Sequence, residues 1–193
     1  NLRSSESVTM SVTADKVLDF WFNETDRQNW FERSDEFDQV IRDRFGDAVE
    51  TARADGFTDW HDTARGCLAV IILIDQLSRN IYRDSPLAWS ADDVGLACTK
   101  RALTRAYDAD LGIDERKFLY MPLMHSEVLA DQEQCVELFA TLATDEDDVS
   151  LDFAIRHRDI VARFGRFPHR NEILGRESTP EELAFLKEPD SSF

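Results

Sequence analysis

Residues 63–82 read TARGCLAVIILIDQLSRNIY, and the eight apolar residues from Cys67 to Ile74 decide the fold. Eight is too few to span a bilayer, which needs about 18 or more. A helix apolar on every side must instead be covered all round by other elements. The flanking sequence supplies that cover. From Ser34 to Asp55, the residues Phe37, Val40, Ile41, Phe45, Ala48, Val49 and Ala52 recur at i, i+3, i+4 steps, and Gly56 stands where a C-terminal cap belongs. This is the stripe of an amphipathic helix. No alternating strand pattern with hairpin turns appears.

Working outward, Asp62 reads as the cap of the central helix, and Ser90 with Asp93 reads as a capping box opening a helix that runs to about Tyr107. Gly112 and Asp114 mark a stop and a restart. A short helix near Glu115–Tyr120 then meets Pro122, expected at a kink or in the first turn of the next helix, about Leu123–Ala143. The acidic stretch 144–148 is a break. A helix from Val149 ends before Gly165, and Thr179-Pro180-Glu181-Glu182 starts a last short helix through Leu186. At the other end, Val17, Leu18, Trp21 and Phe22 share a helical face. The expectation is all-α: seven to nine helices packed as antiparallel pairs in a single domain, 14–193, preceded by a disordered or appended segment, 1–13.

The 193 residues carry a formal charge of −17, and 42% are hydrophobic, thirteen of them Phe. That composition builds a core without staples and is not the composition of disorder. The acidic balance excludes a general binder of nucleic acid or of anionic membranes, both of which use a basic footprint. Residues 1–14 contain no secretory signal. Cys67, Cys98 and Cys135 are widely spaced and without a CxxC, as expected of reduced core thiols in a cytoplasmic protein. Phosphate-cradling glycine loops, GxSxG elbows and HExxH are absent, so no cofactor and no metal is expected. His61-Asp62 lacks the upstream His that a metal phosphohydrolase requires, and the HxE at His125 lacks a following Pro-Cys-x-x-Cys.

Three polar segments remain. At the end of the central helix, Asp75, Arg79 and Tyr82 share one face, with Gln76, Asn80 and Arg83 on the next. Polar groups that extend a buried helix need partners, since each unsatisfied one costs roughly 1–3 kcal/mol. In the second segment, His125 aligns with Val128, Leu129 and Gln132; in the third, His157 aligns with Phe153, Ile160, Val161 and Phe164. Both therefore face the core. Residues 156–176 hold six Arg against Asp159 and Glu172, a +4 island in a chain otherwise at −21.

Two readings account for these residues. In the first, His125, His157 and Glu127 are candidate catalytic groups, a His acting as acid or base and Glu127 orienting a His. Gln76, Arg79, Asn80, Arg166, His169, Arg170 and Asn171 would then surround a pocket for a small carboxylate or phosphate. In the second, the same residues are interior glue in a helical scaffold that binds a protein partner or a second copy of itself. The pattern leaves open both which reading holds and whether a pocket, if formed, catalyses a reaction.

The same stretches carry a resemblance. DQLSRNIYR, FLYMPLMHSE and RFGRFPHRNEILGR followed by PEE resemble the uncharacterised bacterial family designated domain of unknown function 924, over essentially the whole chain from Lys16. The resemblance implies an all-α fold of the tetratricopeptide-like helical superfamily. It implies no activity, substrate or catalytic residue.

Overall fold

The structure is a computed structural model that describes residues 11–144 and 149–193. Most of the 1–13 segment and of the 144–148 break therefore lie outside the described residues. Within them the chain is helical, without strands. α1 (Ala14–Asp19) continues into a π-turn at Phe20–Glu24. α2 (Asp35–Arg53) is capped by Ser34, whose hydroxyl accepts from the Phe37 N–H. Its buried stripe is Ile41, Phe45, Ala48, Val49 and Ala52, whereas Val40, expected inside, falls at the edge and is 44% exposed.

The apolar run forms the central rod. α3 (Ala64–Ile71) passes through a π-turn at Ile72–Leu77 into α4 (Ser78–Ile81) without a break, and Cys67 to Ile74 are all 1% exposed or less. The rod's cap is Thr63, which accepts from the Gly66 N–H, and not Asp62, which pairs outward with Arg101. Gly66 is obligatory here, because a Cβ would stand 1.9 Å from the Trp60 carbonyl oxygen. α1, α2, α5 (Asp92–Thr104) and α6 (Ile113–Met124) surround the rod. The capping box expected at Ser90 is absent, since α5 begins two residues later and Ser90 binds the Leu87 carbonyl.

Pro122 starts no new helix. It lies inside α6, which tolerates it because only the N–H that would reach the carbonyl at 118 is forfeited, two residues before the helix ends. α7 (Leu129–Leu142) packs on α6, and α8 (Val149–Phe164) packs on α7. Gly165 ends α8 at φ +71°, and α9 (Pro180–Phe185) opens on the expected Thr179/Glu182 capping box. A second small core of Ile160, Val161, Phe167 and Phe185 ties these last elements together. Among the described residues, no helix is long and apolar enough to cross a membrane.

Candidate functional site

The π-turn sets the geometry of the rod's polar end. π-turns inside α-helices occur often at functional sites, because the widened turn re-aims the side chains on it. Here it carries Asp75, 2% exposed, and Gln76. A carboxylate at that depth must be neutralised and hydrogen-bonded, and three groups do so. His125, the residue capping the end of α6, donates from Nδ1 to Asp75 Oδ1 at 2.8 Å. Gln76 Nε2 donates to Oδ2 at 3.0 Å, and Arg79 Nη2 stands 3.5 Å from Oδ1. The same Arg79 nitrogen donates to Asp92 Oδ2 at 2.9 Å, which brings the start of α5 into the cluster.

α8 and the 3-10 turn Pro168–Arg170 close the other side. The His157 ring lies 6.1 Å from that of His125, and its Nδ1 donates to the Phe153 carbonyl at 2.7 Å. Arg170 is 7% exposed and makes no ion pair among the described residues. Its guanidinium lies over the rings of Phe167 at 4.7 Å and Trp89 at 5.4 Å, and its Nε has no hydrogen-bond partner. Asp92 Oδ1 and His169 Nδ1 are likewise buried and unpartnered. Three orphaned polar atoms in one cluster are unusual, because buried polar groups are nearly always satisfied. The side chains of Arg79, Asp92 and His125 remain about one-fifth to one-quarter exposed, so the cluster opens to solvent along one edge.

The environment separates the charge states. Burial alone would raise Asp75, but His125 and Arg79 outweigh it and hold the carboxyl at about 2. Asp92 is raised by burial, against the pull of Arg79. Burial, with neighbouring positive groups, drives His157 down to about 3 and His169 to about 4, so both are neutral imidazoles. Burial and the charge of Arg79 lower Arg170 to about 10, against the opposing pull of Asp92, Glu127 and Asp75, and it is still a cation at neutral pH. The thiols of Cys67, Cys98 and Cys135 are pushed up by burial to about 11, 12 and 12, which excludes thiolate chemistry there. Among the described residues, no group of three or more His, Cys, Asp or Glu is placed to hold a metal ion.

Gln76, Arg79, His125, His157, His169 and Arg170 thus come together, and the other residues named from sequence do not. Asn80 lies about 100° around the rod from Arg79. It donates at 2.7 Å to buried Asp38, which Arg83 also binds, beside a separate cavity of about 310 Å³. Glu127 orients no histidine: it accepts from both Arg176 Nη atoms and from the Phe167 N–H, at 2.8–2.9 Å. Arg166 forks onto Glu182 at 2.7 and 2.8 Å, and Asn171 joins Glu182, Ser178 and Arg176. These groups form a structural knot behind the site. His169 and Arg170 lie within the 3-10 turn Pro168–Arg170, whereas Arg166 precedes it and Asn171 follows it, and both of these engage Glu182. Sequence reasoning missed Asp92 and Trp89 as site residues, and it took Asp75 only as a face-mate of Arg79. The signal for Asp75 was legible: a carboxylate directly after eight apolar residues is buried and needs a cation.

The knot makes its own prediction. Glu182→Gln and Arg166→Met will each lower the melting midpoint by several degrees, and the double variant will lower it by less than their sum, because both remove one interaction. Full additivity in thermal melts would show that the two side chains act separately.

The comparisons with known proteins agree with the all-helical architecture. The family model described as "Bacterial protein of unknown function (DUF924)" matches residues 17–190. A solved structure of a protein of unknown function from Agrobacterium tumefaciens is similar at 37% identity and a TM-score of 0.84, over 90% of this chain and 96% of that one. No curated protein sequence matches.

Proposed function

Because the chain belongs to the DUF924 family of bacterial proteins, whose description carries no activity, we propose from the site alone that it binds a small anionic carboxylate or phosphate and performs acid–base chemistry on it. The observation that carries this reading is Arg170, a buried guanidinium that makes no ion pair among the described residues, whose Nε has no hydrogen-bond partner and which lies against the rings of Phe167 and Trp89. A buried cation left unpaired is costly to the fold, and an anion docking on it offsets that cost. Beside it, Asp75 fixes the His125 proton on Nδ1 and leaves Nε2 to take or give a proton. Arg79, shared by Asp75 and Asp92, links the dyad to the anion site.

The finer readings belong to the same proposal. A tetratricopeptide-like arrangement is supported by the successive packing of α6, α7 and α8. A cytoplasmic location is supported by three buried, free cysteines.

The test is thermal unfolding with inorganic phosphate and acetate on the wild type, Arg170→Met and Arg166→Met. A ligand specific to the folded state at a hundredfold excess over its Kd adds about 2.7 kcal/mol. Wild type and Arg166→Met will respond. Arg170→Met will not, yet its ligand-free midpoint will equal or exceed that of the wild type, because the variant deletes an unpaired buried charge. If wild type ignores every anion, or Arg170→Met responds equally, the cluster is interior glue and the scaffold reading takes its place.

A further inference from the structure

The aromatic surface adjoining Arg170 is already in use by the chain itself. Phe193 lies flat on His157, with ring centroids 3.7 Å apart and an interplanar angle of 19°. Phe153 stands 6.0 Å away, the His169 ring meets it edge-on at 6.1 Å, and the Arg156 guanidinium lies over it at 5.1 Å. These groups make a slot with the dimensions of one ring, walled by two imidazoles, a phenyl and a cation. Its floor, His157, is 4% exposed beneath Phe193, while Phe193 itself is 44% exposed.

Phe193 is also lightly held. The residues leading to it are tied by a Ser191 hydroxyl donating to the Leu186 carbonyl at 3.2 Å and by the Arg156–Asp190 pair at 3.4 Å, whose Asp190 side chain is 77% exposed. The exposed Arg156–Asp190 pair is weak, and the buried Ser191 bond holds the backbone two residues before the ring rather than the ring itself. The slot adjoins the anion site across one ring, because Phe167 meets His157 edge-on at 5.6 Å and also lies under the Arg170 guanidinium at 4.7 Å. Neutral imidazole faces and a guanidinium favour a flat, electron-rich ring.

We infer that the slot on His157 is a ring-binding subsite, so that the ligand class is a planar aryl or heteroaryl compound bearing a carboxylate or phosphate, and that Phe193 occupies the subsite as a tethered competitor. This rests on the anion-binding reading of Arg170. A tethered competitor acts at a high effective concentration, so its removal raises the affinity only of ligands that need the slot.

The experiment compares acetate with benzoate and inorganic phosphate with phenyl phosphate by calorimetry on the wild type, Phe193→Ala and Arg170→Met. In Phe193→Ala the arylated member of each binding pair will gain about fivefold or more in affinity over wild type, while the plain anion changes by less than about twofold. If plain anions bind in an Arg170-dependent way but the aryl-to-plain ratio is the same in wild type and Phe193→Ala, the subsite is refuted and the anion site stands. If none of the four probes binds either protein, the anion site is refuted and the subsite with it.

Discussion

Lowering the pH from 7 to 4 will destabilise the folded protein by about 1.4 kcal/mol per pH unit for each histidine that the fold keeps neutral. Burial brings His157 to about 3, with the neighbouring His125 ring adding to the effect, and brings His169 to about 4, with Arg170 adding. In the unfolded chain a histidine takes up a proton near pH 6.5. Between about pH 6.5 and 4 the unfolded state therefore binds protons that the folded state refuses. The contribution of these two imidazoles is complete above that window and is lost as the pH falls through it.

Asp75 titrates in a different window. Its folded value of about 2 lies below the ordinary carboxylate range, so its stabilisation is present above about pH 4 and is lost only as the pH falls toward 2. Denaturant unfolding of wild type and His157→Phe across pH 4 to 7 separates the histidine effect. Phenylalanine keeps the ring against Phe193 and Phe167 and removes the titrating nitrogen. The variant's slope in that range will be shallower by about 1.4 kcal/mol per pH unit. Equal slopes would mean that His157 is free to protonate in the folded protein.

Asp75→Ala will cost about 3–5 kcal/mol, because it leaves the partly buried His125 without its carboxylate and Arg79 with Asp92 as its one counter-charge in the cluster. Domains are stable by only about 5–15 kcal/mol, so this one change removes a large share. The loss comes from the stranded charge rather than from any net worth of the pair. The double variant Asp75→Leu with Arg79→Met will recover only part of the lost stability in urea unfolding, since it removes the Asp75–Arg79 pair together but leaves Asp92 and His125 without the partners that bind them. A loss below about 1 kcal/mol for Asp75→Ala would show that the carboxylate is not what holds the cluster together.

Much of the fold was legible because it follows from periodicity and from local stop signals. The eight-residue apolar run demanded a covered central helix, and residues 67–74 are sealed. Thr179-Pro180-x-Glu182 and Gly165 acted where they stood, since caps depend on neighbours a few residues away. The misreadings had local competitors. Thr63 and Asp62 are both good caps, but Asp62 belongs to the preceding 3-10 turn Thr58–Asp62 and pairs with Arg101, and the Thr63 hydroxyl takes the Gly66 N–H. Pro122 is a helix breaker in isolation, yet so near the end of α6 it costs only one backbone bond.

The site was legible by residue type and not by partnership. Arg166, Arg170 and Arg176 look alike in the sequence, and all three lie in one positive island. Glu182 and Glu127, contributed from 16 and 49 residues away, engage the first and the last, and Arg170 makes no ion pair among the described residues. No spacing rule carries that information. The sequence by itself determined an all-helical chain, a buried rod with a polar end, two inward histidines and a local excess of arginine, because each of these is set by side-chain type at short separation. Which arginine of the island makes no ion pair among the described residues, that Asp75 and not Glu127 holds His125, and that Phe193 lies on His157 became visible in the folded arrangement. Those outcomes depend on contacts between segments far apart in the chain, where geometry alone selects one partner from many chemically equal candidates.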